Sequence, residues 1–207
     1  MKKEIEIIMP EGWHDISLKK YLALQTDLKN YEDDEEAQIA LMLYHLCGID
    51  ANMLTSLSQA SFNRLKVELN TFMEPTEIPL KRIIQIDGVD YGFEPNLSQI
   101  AYGAYADISK YDTVQIDDNW AKIMSILYRP VVNKGNADTY TIKPYDGKID
   151  ETKWLSVPMD VHFSTLFFFV HLSKDLLNSI LNSTIATEMS PHFKSILEES
   201  GKLIQQL

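Results

Sequence analysis

Trp13, His14, Asp15 and Ser17 fall within five positions, between a strand-like run and a helix start. A histidine, a carboxylate and a hydroxyl are the parts of a nucleophilic triad, in which the imidazole takes the hydroxyl proton and the carboxylate orients the ring. Triads are assembled by folding rather than by adjacency in sequence, and geometry must confirm them. Each of these residues also has a simpler task. Ser17 suits a helix N-cap and Asp15 a turn. His14 is left without a task, and Trp13 is a large ring placed on a turn. The expectation is architecture, with Trp13 anchoring a lobe or a partner.

Other templates for chemistry are missing from the sequence. It contains no G-x-x-x-x-G-K-[ST] phosphate cradle, no G-x-G-x-x-G, no G-x-S-x-G elbow and no H-E-x-x-H. His14, His45, His162, His171 and His192 never pair at i, i+3 or i+4, and His162 and His171 lie nine residues apart, on opposite faces of a helix. That argues against a zinc site, which needs about four convergent ligands. Asn133–Asp138 and Asp146–Glu151 are rich in oxygen ligands but lack the order of a calcium loop. Cys47 stands in an apolar run, where a cysteine behaves as a small hydrophobe with its thiolate disfavoured. No catalytic residue, metal ligand or cofactor is expected.

Bulk composition narrows the partners. The 207 residues carry 19 Lys plus Arg against 30 Asp plus Glu, a formal charge of −11, so the field repels phosphate backbones. No nucleic-acid partner is expected. A single cysteine forms no intrachain disulfide. The start, MKKEIEIIMPEGW, lacks the apolar core of a signal peptide, and the greasiest stretch, Val161–Leu172, is shorter than the roughly 20 residues of a membrane helix. The chain reads as soluble, intracellularly made and without a membrane partner.

The elements that must position these residues follow from periodicity and caps. Residues 3–8 suggest a strand, and Ser17 opens a helix over about 18–27 in which Tyr21 packs on a neighbour. The acids Glu32–Glu36 open a helix to Cys47, expected to be central and buried on most sides, with Gly48 as its stop. Asp50 starts a short helical turn, and Ser58 caps a helix over 59–73 with the stripe Phe62, Leu65, Leu69 and Phe72. The Glu74–Pro79 segment, with two prolines, is the expected boundary between a lobe of residues 1–74 and one of 80–207. Asp87-Gly88 between β-branched and aromatic residues predicts a hairpin. Further helices are expected over 97–110 with Ser98 as cap, from Asp117-Asp118 to a stop at Pro130, over 151–156, from Pro158 to about Leu181, and from Pro191 onward. Residues 131–150 read as loose, with a strand at Tyr140–Lys143 and a turn at Asp146-Gly147. The predicted class is α+β and predominantly helical: a helical N-terminal lobe, a central β-hairpin and a helical C-terminal lobe.

Two patterns remain. The spacing [IL]-S-x3-Y-x2-[LY] occurs at Ile16–Leu24 and again at Leu97–Tyr105, a weak internal repeat of a strand-to-helix start. In the long helix, Leu166, Phe169, Val170, Leu172, Leu176, Leu177 and Ile180 form one apolar side. Phe163, Phe167 and His171 project with Asp160, Lys174 and Asn178 on the other. The two rings are out of place there. Either the first half of the helix is buried all round, or these rings meet a partner. The candidate interaction residues are therefore Trp13, Phe163, Phe167 and His171.

The order MPEGW, DISLKKYLALQ, ALMLYHLCGID, IQIDGVDYGFEPNLSQI, ILYRP and DVHFSTLFFFVHLSK, over about residues 9–181, resembles tailed-bacteriophage morphogenesis proteins, in outline the tail assembly chaperones and baseplate assembly proteins or a minor virion component. The resemblance implies a mixed α/β or mostly helical protein that binds other phage morphogenesis proteins or itself, without catalysis. It would work in the cytoplasm of the infected host cell or be incorporated in the virion. Two alternatives stay open: an acidic inhibitor that mimics nucleic acid with Glu32–Glu36 and Asp117-Asp118, and a small ligand-binding domain or enzyme using His14, Asp15 or the 131–150 segment.

Overall fold

The computed structural model describes residues 7–74, 76–135 and 139–185. The expected strand over 3–8 lies largely outside them, and Ile7 and Ile8 form no strand. The expected helix from Pro191 also lies outside the described residues. The chain is α+β and mostly helical, with helical regions on either side of a sheet that contains the hairpin. Of the described residues, those up to Phe167 form one compact unit, within which the helix before the Glu74–Pro79 break ends at Met73, and those from Phe168 to Ile185 belong to a second unit.

Four helices open the first unit. Helix α1, Leu18–Leu28, starts where the Ser17 hydroxyl accepts from the Lys20 N–H. Helix α2, Glu35–Cys47, starts at Asp34, whose carboxylate accepts from the Ala37 N–H. It stops at Gly48, where a φ of +71° lets the Gly48 and Ile49 N–H groups bond back to Tyr44 and Leu43. Helices α3, Ala51–Ser56, and α4, Gln59–Met73, are capped by Asp50 and Ser58. Helix α2 is not buried on most sides. It sinks only Ile39, Leu43 and Leu46, and Tyr44 is 55% exposed, because α1, α3 and α4 cover one face and solvent meets the other.

The sheet has antiparallel order β1-β2-β3-β4. Strands β1, Ile83–Ile86, and β2, Val89–Phe93, form the expected hairpin, and Asp87 and Gly88 both take positive φ in its two-residue turn. Strand β3, Tyr128–Lys134, pairs with β2 and with β4, Tyr140–Ile142. This corrects the expectation of a helix ending at Pro130 and a loose segment after it. The chain passes from helix to strand at Tyr128, and Pro130 sits inside β3, where its carbonyl accepts from the Lys143 N–H. A bulge between Val131 and Asn133 shifts the pairing just beyond it.

Helix α5 is shorter than expected, Tyr102–Ile108, and Ser98 does not cap it. Ser98 lies in a 3-10 turn, Leu97–Gln99, where its N–H and hydroxyl both donate to the Asn96 side chain. Tyr102 and Tyr105 are 84% and 59% exposed. Their counterpart Tyr21 is half-buried, so the serine and the tyrosine play different parts in the two segments and the repeat does not hold.

Helix α6, Trp120–Leu127, and a 3-10 turn, Thr152–Ser156, supply much of the core. Trp120, Trp154 and Tyr128 are fully buried together with Ile123, Met124, Ile126 and Leu127. Helix α7, Met159–Ile185, begins in the first unit. Its buried side there is Met159, Val161, His162, Ser164 and Thr165, not a side led by Leu166. Small hydroxyl residues let it lie close to its neighbours, and the Ser164 and Thr165 hydroxyls donate to the Val161 carbonyl. In the second unit Phe168 meets Phe169 edge to face. Leu176 and Ile180, expected on the apolar side, are 56% and 49% exposed.

Candidate functional site

The opening segment folds as a 3-10 turn, Trp13–Asp15. Its geometry comes from local bonds: the Asp15 carboxylate accepts from the Glu11 N–H at 2.8 Å, and the Asp15 N–H donates to the Gly12 carbonyl. The next residues tie the turn to the start of α7, where the Leu18 N–H donates to Val157 and the Met159 N–H to Ile16. Trp13 is thereby held at the meeting point of three helices. Its ring lies 4.7 Å from Phe72 of α4, 4.8 Å from Phe163 of α7 and 6.1 Å from Tyr21 of α1, measured between centroids. Tyr21 and Phe163 close the set edge to face at 5.6 Å, and Phe167 stands 6.3 Å from Phe163. Edge-to-face and tilted ring pairs of this kind each add about 0.5–1.5 kcal/mol beyond the area they bury.

Three of the four candidate residues thus come together. Trp13, Phe163 and Phe167 share one aromatic cluster and are all half-buried. Phe163 faces Trp13 and Tyr21, which is why a ring stands on the side of α7 that projects with polar residues. His171 belongs to the second unit and is exposed. The triad reading fails on geometry. His14 approaches Asp15 only to 3.6 Å, both side chains are open to solvent, and the Ser17 hydroxyl is engaged as the α1 cap.

Beside the cluster lies an open groove of about 750 Å³. The Met9–His14 segment forms one wall and α4 the other, through Val67, Glu68, Thr71 and Phe72. Trp13 and Phe72 carry the aromatic cluster into it, and Thr76, Ile78, Lys81 and Asp160 complete the lining. Val67 is 65% exposed although apolar. Glu11 and Glu68 bring carboxylates, while the Lys81 ammonium is taken by one oxygen of Asp160. The other, Asp160 Oδ1, is buried and accepts no hydrogen bond. A groove with aromatic and aliphatic walls and exposed carboxylates suits an apolar segment with basic neighbours.

Sequence reasoning missed Val67, Ile78, Lys81 and Asp160 as parts of this site. Val67 carried a signal: it is an apolar residue off the Phe62–Leu65–Leu69–Phe72 stripe. Lys81 and Asp160 meet only through the fold. At the back of the segment the Cys47 thiol donates to Met9 Sδ at 3.2 Å, and burial raises the thiol's pKa, with Lys20 opposing and Glu68 reinforcing. The acidic runs are used locally: Asp34 caps α2, Glu35 pairs with Lys66, and Asp117 accepts from the Asn119 N–H ahead of α6.

Among the described residues, no three His, Cys, Asp or Glu side chains converge as metal ligands, and no helix is long and apolar enough to cross a membrane. The chain matches no family model, no curated protein and no solved structure in the three comparisons made with it.

Proposed function

We propose that this protein works by protein–protein binding, without catalysis, and that the groove between the Met9–His14 segment and α4 takes an apolar partner segment flanked by basic residues. The observation that supports this most is the exposed Val67 standing beside Trp13 and Phe72, with the exposed Glu11 and Glu68 around them. Exposed apolar surface next to half-buried aromatics is the composition of a recognition patch, and the carboxylates select against acidic partners. The setting, virion assembly in a tailed bacteriophage, rests on the resemblance of the segments quoted above, and the partner would then be another morphogenesis protein or a second copy of this chain.

Val67→Asp tests the reading. The position is exposed, so the fold should hold, while a charge in the apolar wall should abolish capture of a protein partner in a pull-down followed by native mass measurement. Unchanged capture by Val67→Asp and by Glu68→Lys removes the groove from the interaction.

A further inference from the structure

The sheet leaves one edge unpaired beside a groove. Strand β1 stands at the end of the order β1-β2-β3-β4, and its register with β2 fixes which backbone groups face outward. Ile86 and Val89 flank the two-residue turn as a hydrogen-bonded pair, Ile84 and Tyr91 form the next, and the Phe93 N–H donates to the Arg82 carbonyl. The N–H and C=O groups of Ile83 and Gln85 therefore point away from β2. Those of Lys81 do so too, but the chain satisfies them itself: the N–H donates to the Ser164 hydroxyl and the carbonyl accepts from Tyr128. No group among the described residues does the same for Ile83 or Gln85, and both residues are exposed.

A bare edge is a template for another strand, and proteins blunt it with a proline, a bulge or a charge. The pairing of the opposite edge strand, β4, is interrupted by a bulge. The run Ile-Ile-Gln-Ile of β1 has none of these devices. A groove of about 490 Å³ follows it, with Ile84 and Ile86 on one side and Val157, Pro158 and Val161 on the other. The ends of the strand carry opposite charges. Arg82 and Asp87 belong to no ion pair among the described residues, and Arg82 acts within the chain on the Tyr140 phenol, a neutral group. Lys81 is taken by Asp160.

We infer that β1 pairs with β1 of a second copy of this chain, antiparallel about a two-fold axis, so that the two sheets join edge to edge. One register uses both outward residues of each copy: Ile83 faces Gln85 of the second copy and Gln85 faces its Ile83, with four backbone hydrogen bonds between them. In that register Ile84 meets Ile84 of the second copy at the apolar groove, a β-branched cross-strand pair. Charge selects the same arrangement. Antiparallel pairing sets Arg82 of each copy beside Asp87 of the other, whereas parallel pairing sets like beside like. An edge of four residues a side falls short of the roughly 1,200–2,000 Å² of a stable interface, so monomer and dimer exchange with concentration. The pairing does not rest on the groove beside Trp13, which β1 does not line.

The test is sedimentation equilibrium of the purified full-length protein from about 1 µM to 1 mM, the range of weak association. The mean mass should rise from that of one chain toward that of two. Amide exchange by NMR should slow with concentration at Ile83 and Gln85, and less at Ile84 and Ile86, which β2 already holds. Gln85→Pro removes an outward N–H without touching the ladder to β2 and should keep the protein monomeric. Ile83→Lys, a charge on the exposed edge, serves if the proline variant does not fold. Asp87→Asn, which suits the same turn, should raise the dissociation constant about fivefold, the worth of the two weak surface pairs that the symmetry makes. A single-chain mass over the whole range, a dimer that survives the folded edge variant, or a dimer without slowed exchange at Ile83 and Gln85 overturns the pairing. An unchanged constant in Asp87→Asn overturns the register.

Discussion

His162 makes the stability of this fold depend on pH. It is fully buried on α7, and the Trp120 indole N–H donates to its Nδ1 at 3.2 Å, which leaves the proton of the neutral ring on Nε2. Burial lowers its pKa from the ordinary 6.5 to about 4, against the weaker opposing pull of the Val157 and Trp154 backbone and of Asp160. The folded value is the depressed one, so between the two values the unfolded chain holds the extra proton. Stability is therefore full above about pH 6.5 and falls as pH drops toward 4. With these two values and ~1.36 kcal/mol per pH unit, the loss between pH 7.5 and 4.5 is about 2.5 kcal/mol, steepest midway between the two values, near about pH 5.3, at about 1.2 kcal/mol per pH unit. Urea unfolding at a series of pH values measures it. His162→Asn keeps an acceptor for Trp120 but does not titrate, so its loss over the same range should be smaller by about 2.5 kcal/mol. His162→Gln serves if the asparagine variant is too unstable to measure. Equal losses in wild type and variant, or a His162 ring that titrates near 6.5 by NMR, would refute the assignment.

Three further outcomes follow from the fold. Ser17→Ala should cost about 1 kcal/mol in urea unfolding, and Ser98→Ala less than about half of that, because only Ser17 caps a helix. Gly92→Ala should lower stability by about 1–3 kcal/mol, since the new methyl would come within 2.6 Å of the Tyr140 ring, which its bond to the Phe93 carbonyl holds in place. Thermal melting reads this directly. Glu94→Ala should cost about 3–5 kcal/mol by leaving the nearly buried Arg129 without its carboxylate, and a loss under about 1 kcal/mol in the same assay would mean that the pair is open to water.

What was legible in the sequence was local. Ser17, Asp50 and Ser58 cap their helices within three residues, Gly48 needs only its own positive φ, and Asp87-Gly88 specifies its hairpin turn. Strand β3 was not legible. Pro130 reads as a helix stop rather than as part of a strand, and β2, with which the first residues of β3 pair, lies far upstream in sequence. The exposure of Tyr44 was hidden for a related reason: composition says how apolar α2 is, not how many neighbours cover it. Of the candidate site, Trp13 on a turn and the misplaced Phe163 and Phe167 were visible as anomalies. Their common cause, the packing of Trp13 against Phe72 and Phe163, exists only once α4 and α7 are brought together.

The groove is tested most directly by a photo-crosslinking amino acid at position 67, with the same residue at the exposed position 102 as control. In cells that make the partner, irradiation should give a protein adduct from position 67, joined through an apolar segment with basic neighbours, and little from position 102. No adduct at 67, or equal adducts from both positions, would contradict recognition at the groove beside Trp13.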